Sequence, residues 1–508
     1  MTNAVNLIWE HAETRPGALA LRDGDRRWNF SQLQHAIRGA TEELAGRGIQ
    51  REDRVLMVVP TTGEFVMVYY GLLALGAIAV TVNPSCTPRE LTHFIRDAGC
   101  TDIIGWHQGS EATLTAAAAA GVKPWILQPG CVPADGTREP VPVHQDDIAV
   151  LLYTSGTTGA PKGAALTHEN LRACGAGLAD ALGLGPGDRM GTALPLFHVF
   201  GQAAVMSSTY TAGGSLSLQH PFHPEGLLQM AAEQQLTGLA GVPTMWNAML
   251  HAHTDITAQD LLGLRLACSG GAALPLKVSQ AFKERFGALV LDGYGLSETT
   301  GAATFNRAIH PRKEMSVGRA IDGCRLAILD ETHTELAPGQ TGEVAIAGPV
   351  LMREYWGRPE ATEAVRVGEW FLTGDIGRMD EDGDLWIVDR KKDLVIRGGY
   401  NVYPREIEEV LYGHPDIREA AVVGVPDEHL GEEVAAVIST EPGAHIDCAA
   451  LRSWLEERLA AYKVPRIYQF VEALPKGATG KILKRSIDRT VIATRGERPA
   501  RAAGSTPE

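Results

Sequence analysis

The sequence predicts an α/β protein, with a large first domain of mixed and parallel sheets packed by helices and a small α+β domain after it. Helix-like and strand-like segments alternate over the first two thirds of the chain. Several strand candidates are continuous apolar runs, the pattern of parallel strands covered on both faces. Near residue 320 the texture changes to shorter strands and hairpin signals. At 508 residues the chain is too long for one ordinary core, so two or more domains are expected.

In chain order, residues 54–59 read as a strand. Residues 65–82 are almost without polarity, and a run of 18 is the lower edge of a membrane span. Gly71 and Gly76 interrupt the run, and residues 77–82 look like a core strand, so a buried helix followed by a strand is expected and no integral membrane span. The five alanines 116–120 suggest a solvent-side helix. Residues 148–153 and 288–291 read as strands. Past 320, residues 325–330 and 342–348 are strand-like, and Asp382-Gly383 before residues 385–388 signals a hairpin. Ile407, Val410 and Leu411 have helical spacing. So do Leu451, Trp454, Leu455 and Leu459, with Asp447 placed as an N-cap. The expected domains are 1–389 and 390–492. The Arg-, Ala-, Gly- and Pro-rich residues 493–508 read as a disordered tail.

A net charge of −15 argues against a general nucleic-acid binder. Seven cysteines stand at 86, 100, 131, 174, 268, 324 and 448, with no CxxC pair and an odd count. That suits free thiols in a reducing cytoplasm. The start of the chain lacks a basic segment followed by an apolar one, so no signal peptide is expected. The 16 histidines form no zinc spacing.

Residues 153–163, Tyr-Thr-Ser-Gly-Thr-Thr-Gly-Ala-Pro-Lys-Gly, carry the chemistry. Thr154, Ser155, Thr157 and Thr158 supply hydroxyls. Gly156 and Gly159 let the backbone approach an anion, and Lys162 adds a point charge. Such a run suits a triphosphate, although composition alone also fits a flexible polar loop. It is not a Walker loop, because Lys162 is followed by Gly163 rather than Ser or Thr. Further motifs follow: residues 194–201 around His198, Ser269-Gly-Gly-Ala-Ala-Leu274, Asp292-Gly-Tyr-Gly-Leu-Ser-Glu-Thr299, residues 370–375 ending on Asp375, residues 389–393, and Pro475-Lys-Gly-Ala-Thr-Gly-Lys481.

In this order, over about residues 5 to 490, the motifs resemble those of the adenylate-forming enzymes: acyl-CoA synthetases, carrier-protein adenylation domains and luciferases. The resemblance implies a β-barrel-like part within the large domain and a mobile C-terminal domain. It implies ATP, Mg²⁺ and CoA as cofactors. It places the phosphates on residues 154–159 and Lys162, with Thr154 also catalytic, and Mg²⁺ on Glu298, a carboxylate suited to a hard cation. Tyr294 stacks on the adenine, and Ser297 stands where a hydroxyl meets phosphate. Gly271, Ala272, Asp292, Gly293 and Gly295 complete the nucleotide site. Asp375 and Arg390 take the ribose. Lys481 bridges the attacking carboxylate and the α-phosphate. Lys392 is the hinge, and Gly399 the wall of a thiol tunnel reached when the small domain rotates. His198 lines the carboxylate pocket or gates it.

Amino-acid adenylation domains of this kind usually carry an aspartate where His198 stands, which weakens an amino-acid substrate. Residues 242–246 and 267–274 are similar to acyl-pocket segments of fatty-acid and aryl-acid CoA ligases, and residues 264–306 resemble bacterial fatty-acyl-CoA ligases most. No arginine stands out to pair with a second carboxylate. The leading expectation is therefore an ATP-dependent ligase joining a fatty or other hydrophobic acid to CoA. Its alternatives are a stand-alone adenylating enzyme that loads a carrier protein or another nucleophile, and a non-catalytic nucleotide-binding protein. A homodimer is compatible with the resemblance.

Overall fold

A computed structural model describes residues 3–154, 161–307, 312–477 and 480–498. Two large sheets form its first part. In one, the strands Val290–Tyr294, Leu266–Ser269, Gly238–Gly241, Arg189–Thr192, Ser215–Leu218 and Leu19–Asp23 lie side by side and parallel, with antiparallel strands added at both edges. The other has seven strands, five of them parallel, and includes Arg54–Val58, Ile78–Thr81 and Ile148–Thr154. Helices cover both sheets, and one continuous apolar core runs between them. The apolar strand runs read from the sequence are these buried parallel strands.

The run of residues 65–82 is the buried helix Gly63–Leu75 followed by the strand Ile78–Thr81, as expected. Every residue of that helix is buried, which its lack of a polar face demands. Thr62 caps it by accepting from Phe65 N, and Gly76 ends it at φ +70°. Among the described residues no helix is long and apolar enough to cross a membrane. The helix Ser110–Ala120 contains the five alanines, but Ala116 and Ala117 face the core, Ala120 packs partly against it, and only Ala118 and Ala119 are solvent-side. The strand expected at 288–291 begins at Val290, because Gly287 ends the preceding helix and Ala288 packs in the turn.

Where the resemblance implied a barrel-like part, the structure has a five-stranded antiparallel sheet spanning Arg325 to Arg390. Its hairpin pairs Trp370–Met379 with Leu385–Arg390, in register at Asp375↔Arg390. A separate apolar core begins at Val395 and holds another five-stranded sheet with the helices Pro404–Tyr412 and Cys448–Glu456. Asp447 caps the second helix through Ala450 N. The last helix, Arg489–Arg495, runs past residue 492, and Glu497 still pairs with Tyr468. Residues 499–508 lie outside the described chain.

Candidate active site

A cavity of about 1080 Å³ opens where the parallel strands of the first sheet end. Open α/β sheets place their ligand crevice at the carboxyl ends of the strands. The C-terminal domain roofs it. Thr154, Lys162, His198, Gly271, Ala272, Gly293, Tyr294, Gly295, Ser297, Glu298, Asp375, Arg390, Lys392 and Lys481 all line it. Residues from motifs more than 300 positions apart in sequence thus share one wall. Ser155, Gly156, Thr157, Thr158 and Gly159 lie outside the described residues; the strands on either side of them pair with Thr154 opposite Lys162.

On the wall expected to take the nucleotide, the Tyr294 hydroxyl donates to Asp375 Oδ2 at 2.6 Å. Arg390 Nε lies 3.4 Å from Asp375 Oδ1. Burial, with Asp375 beside it, pushes the Tyr294 phenol far up, so it stays a donor. Gly271 has φ +79°, which only glycine adopts without strain. Gly293 and Gly295 line the cavity, but packing behind them is what requires glycine. A Cβ on Gly293 would stand 2.3 Å from the Phe305 ring, and one on Gly295 2.6 Å from the Ala302 backbone.

Glu298 is buried on a single turn, Ser297–Thr299. Its backbone carbonyl accepts from Met352 N, and its Oε1 accepts from the Tyr355 hydroxyl at 2.7 Å. Lys162 Nζ lies 5.0 Å from the centre of the Tyr355 ring. Tyr355 therefore stands between Lys162 and the candidate metal carboxylate. It belongs to no quoted motif and sits 57 residues from Glu298, so only tertiary contact shows it.

Lys481 enters from the roof. Thr244 Oγ1 donates to the carbonyl of Gly480 at 2.9 Å, and a Cβ on Gly480 would meet that Oγ1 at 2.7 Å. Desolvation, then the Arg390 charge, lowers the Lys481 ammonium to about 8. His198 is held down to about 4 by desolvation, with Lys481 adding to it. Its Nδ1 accepts from Phe200 N at 3.3 Å, so the neutral ring carries its proton on Nε2.

Two expected site residues are not in the wall. Asp292 lies behind it, 5% exposed, with Oδ1 unpartnered and desolvation raising it to about 7. Gly399 stands at the exposed tip of the hairpin Val395–Arg397 and Tyr400–Val402, away from the cavity.

Beyond His198 the cavity becomes an apolar slot. Phe200, Ala204 and Ser208 line it from one helical stripe, with Leu178 and Leu182 from another. Ala240 and Cys268, register partners on adjacent strands, and Met190 line it from the sheet. Met190 sits two residues deeper, opposite Gly238, where a Cβ would come within 2.1 Å of its sulfur.

A profile of the AMP-binding enzyme family matches residues 8–356, and one of the AMP-binding enzyme C-terminal domain matches residues 406–481. The chain is similar to a long-chain-fatty-acid–CoA ligase of Bacillus subtilis, 37% identical over 487 residues, covering 87% of this chain and 86% of that one. It is 35% identical over 479 residues to a feruloyl-CoA synthase of an Amycolatopsis species, covering 94% and 97%. The solved structure of ATP-bound MatB from Rhodopseudomonas palustris superposes with a TM-score of 0.91 at 32% identity, over 97% of this chain and 99% of that one. With a family match over more than half its length and this site at the strand ends, the chain belongs to the AMP-binding enzymes.

Proposed function

We propose that this protein is an ATP-dependent, AMP-forming ligase that joins a hydrophobic carboxylic acid to CoA. The observation that carries the reading is Lys481, held in one cavity between a polar nucleotide wall and an apolar slot. Named relatives that act on long-chain fatty acids and on feruloyl groups support it, since each is a CoA ligase or synthase.

A carboxylate is a poor acyl donor. Its attack on the α-phosphate of ATP gives an acyl-adenylate and pyrophosphate, and a thiol then displaces AMP. In the first step Lys481 opposes the charge that builds between carboxylate and phosphate. Asp375 and Arg390 hold the ribose, Tyr294 faces the adenine, and Thr154, Ser297 and Lys162 face the phosphates. His198, neutral and donating through Nε2, borders the carboxylate end of the slot. In the second step rotation about Lys392 withdraws Lys481 and brings Gly399 to the thiol.

Mg²⁺ fits Glu298. The carboxylate is buried, fixed on one oxygen by Tyr355, and shares the wall with the hydroxyl residues Thr154 and Ser297. Mg²⁺ takes one or two carboxylates together with phosphate oxygens. The ion would supply charge neutralisation of the phosphates. Among the described residues, the one group of three clustered carboxylates, Asp380, Asp382 and Asp384, lies elsewhere and is bridged by Lys313.

The slot favours an extended, uncharged acyl chain. Phe200 to Ser208 spans roughly 10 Å, a little under the α-helical rise because it begins as a π-helix. Among the described residues no charged side chain lines this stretch, so a second carboxylate would go unpaired. All seven cysteines are free, which suits a reducing cytoplasm.

The test is AMP release from MgATP with and without CoA, across fatty, aryl and short branched acids. CoA-dependent AMP with the matching acyl-CoA mass supports the ligase. Pyrophosphate exchange without any thioester overturns the CoA assignment and points to a carrier protein.

A further inference from the structure

The helix Leu276–Phe286 begins without a cap of its own, since Pro275 offers no side-chain acceptor. Its first amide is satisfied from the C-terminal domain: Leu276 N donates to Glu409 Oε1 at 2.8 Å, across 133 residues of sequence. The amide just before it, Leu274 N, goes to Asp292. The partial positive charge of a helix N-terminus favours a carboxylate there. Glu409 lies on the helix Pro404–Tyr412 and borders the cavity together with Pro275.

Among the described residues few bonds hold the roof down beside it. Arg405, on the same helix, donates through its backbone N to Asp389 Oδ2 at 2.9 Å and through its guanidinium to Ile387 O at 2.6 Å, both on the strand that links the two parts and not over the cavity's far wall. Thr244 Oγ1 donates to Gly480 O next to Lys481. Lys277 Nζ donates to His414 O at an exposed position, and His251 lies 3.4 Å from Glu441, both of them partly exposed. Exposed contacts of that kind contribute little. A part-buried, charge-assisted bond to a helix amide contributes more. The helix that Glu409 grips follows Gly271 and Ala272 directly, so the bond ties the roof to the nucleotide wall itself.

We propose that Glu409 is a positioning residue for the adenylation step, capping the helix Leu276–Phe286 from the other domain and thereby holding Lys481 over the cavity. The inference rests on the role given to Lys481 above. Glu409 touches no reacting atom. Its loss therefore removes closure, not chemistry, and acts on the half-reaction that needs Lys481.

Two variants break the bond from opposite sides. Glu409→Ala removes the acceptor. Leu276→Pro removes the donor at the first helical position, which tolerates proline, and Pro275, at ψ 135°, suits a following proline. Each is expected to lower ATP–pyrophosphate exchange about fivefold, the factor of a lost helix cap. The double variant should be no worse than either single one. Glu409→Gln keeps an acceptor and should retain most of the exchange. Thiolysis of supplied acyl-adenylate by CoA should be unchanged in all four. Unchanged exchange in both single variants overturns the proposal. So does an equal fall of both half-reactions in protein of wild-type melting temperature. Lys481→Ala, assayed alongside, tells the two failures apart. If it spares exchange, the role of Lys481 is wrong and the inference falls with it. If it abolishes exchange while Glu409→Ala does not lower it, only the latch is wrong.

Discussion

In the role proposed for it, Lys481 has to be a cation to oppose phosphate charge, yet desolvation and the neighbouring Arg390 lower it to about 8. The charged form is depleted as pH rises through that value. Exchange measured as kcat/KM for ATP, which reports the free enzyme, should therefore decline with a limb near 8. Lys481→Arg keeps its charge over that range and should flatten the limb; a limb that persists unchanged assigns it to another group. Asp375 carries a different weight. It accepts from Tyr294 and sits beside Arg390, so Asp375→Asn loses charge-assisted bonding and should raise the KM for ATP about tenfold. An unaltered KM would remove Asp375 from the nucleotide site. That Glu298, Asp375, Arg390 and Lys481 would share one cavity was legible because each sits in a short motif with its own chemistry. Tyr355 and Thr244 were not. Their partners, Glu298 and Gly480, lie 57 and 236 residues away; nothing local marks Tyr355, and the segment 242–246 suggested an acyl pocket but not the bond from Thr244 to the Lys481 loop.

At the scale of elements, Gly71 shows what a sequence hides. Read as an interruption of an apolar run, it is a point of close approach between the helices Gly63–Leu75 and Phe30–Gly46. A Cβ there would lie 3.0 Å from Ala40 Cβ and 3.2 Å from Leu44 Cδ1. Gly71→Leu should overpack this contact and cost about 1–3 kcal/mol of stability, read from the denaturant midpoint. The slot gives a second element-level expectation. Ala204→Phe should shorten the preferred acyl chain, and Met190→Ala should lengthen it, each with little change in the KM for ATP. A chain-length profile that ignores both substitutions would place the acid elsewhere. Element type was readable wherever pattern was strong, as in the buried helix Gly63–Leu75. Boundaries moved where a partner decided them. The strand Val290–Tyr294 runs on to Tyr294 because Thr304–Phe305 pairs with its end.

At the scale of the whole molecule, the apolar core of the large sheets and the core that begins at Val395 are separate bodies, joined by the strand ending at Arg390 and by the turn that holds Lys392. Lys392→Pro should restrict the turn and spare at least one half-reaction, read as pyrophosphate exchange against thiolysis. Equal loss of both in folded protein would argue against a pivot at that position. The two-part layout was legible from the change of texture near 320 and from the motifs at both ends of the chain. Closure of the C-terminal part over the first was expected from the resemblance, which puts Lys481 at the α-phosphate; the bonds that hold it there, such as Glu409 to Leu276 N and Thr244 to Gly480 O, were not legible, because none carries a local signature. The cavity it covers has walls from both bodies. Under the rotation proposed above, reactants pass beneath a domain that dips into solvent and sweeps it aside with every cycle. Hydrodynamic drag is then a component of the turnover rate. Added sucrose would slow this enzyme in proportion to viscosity when the roof's motion is the slow step, and leave it untouched when bond making is.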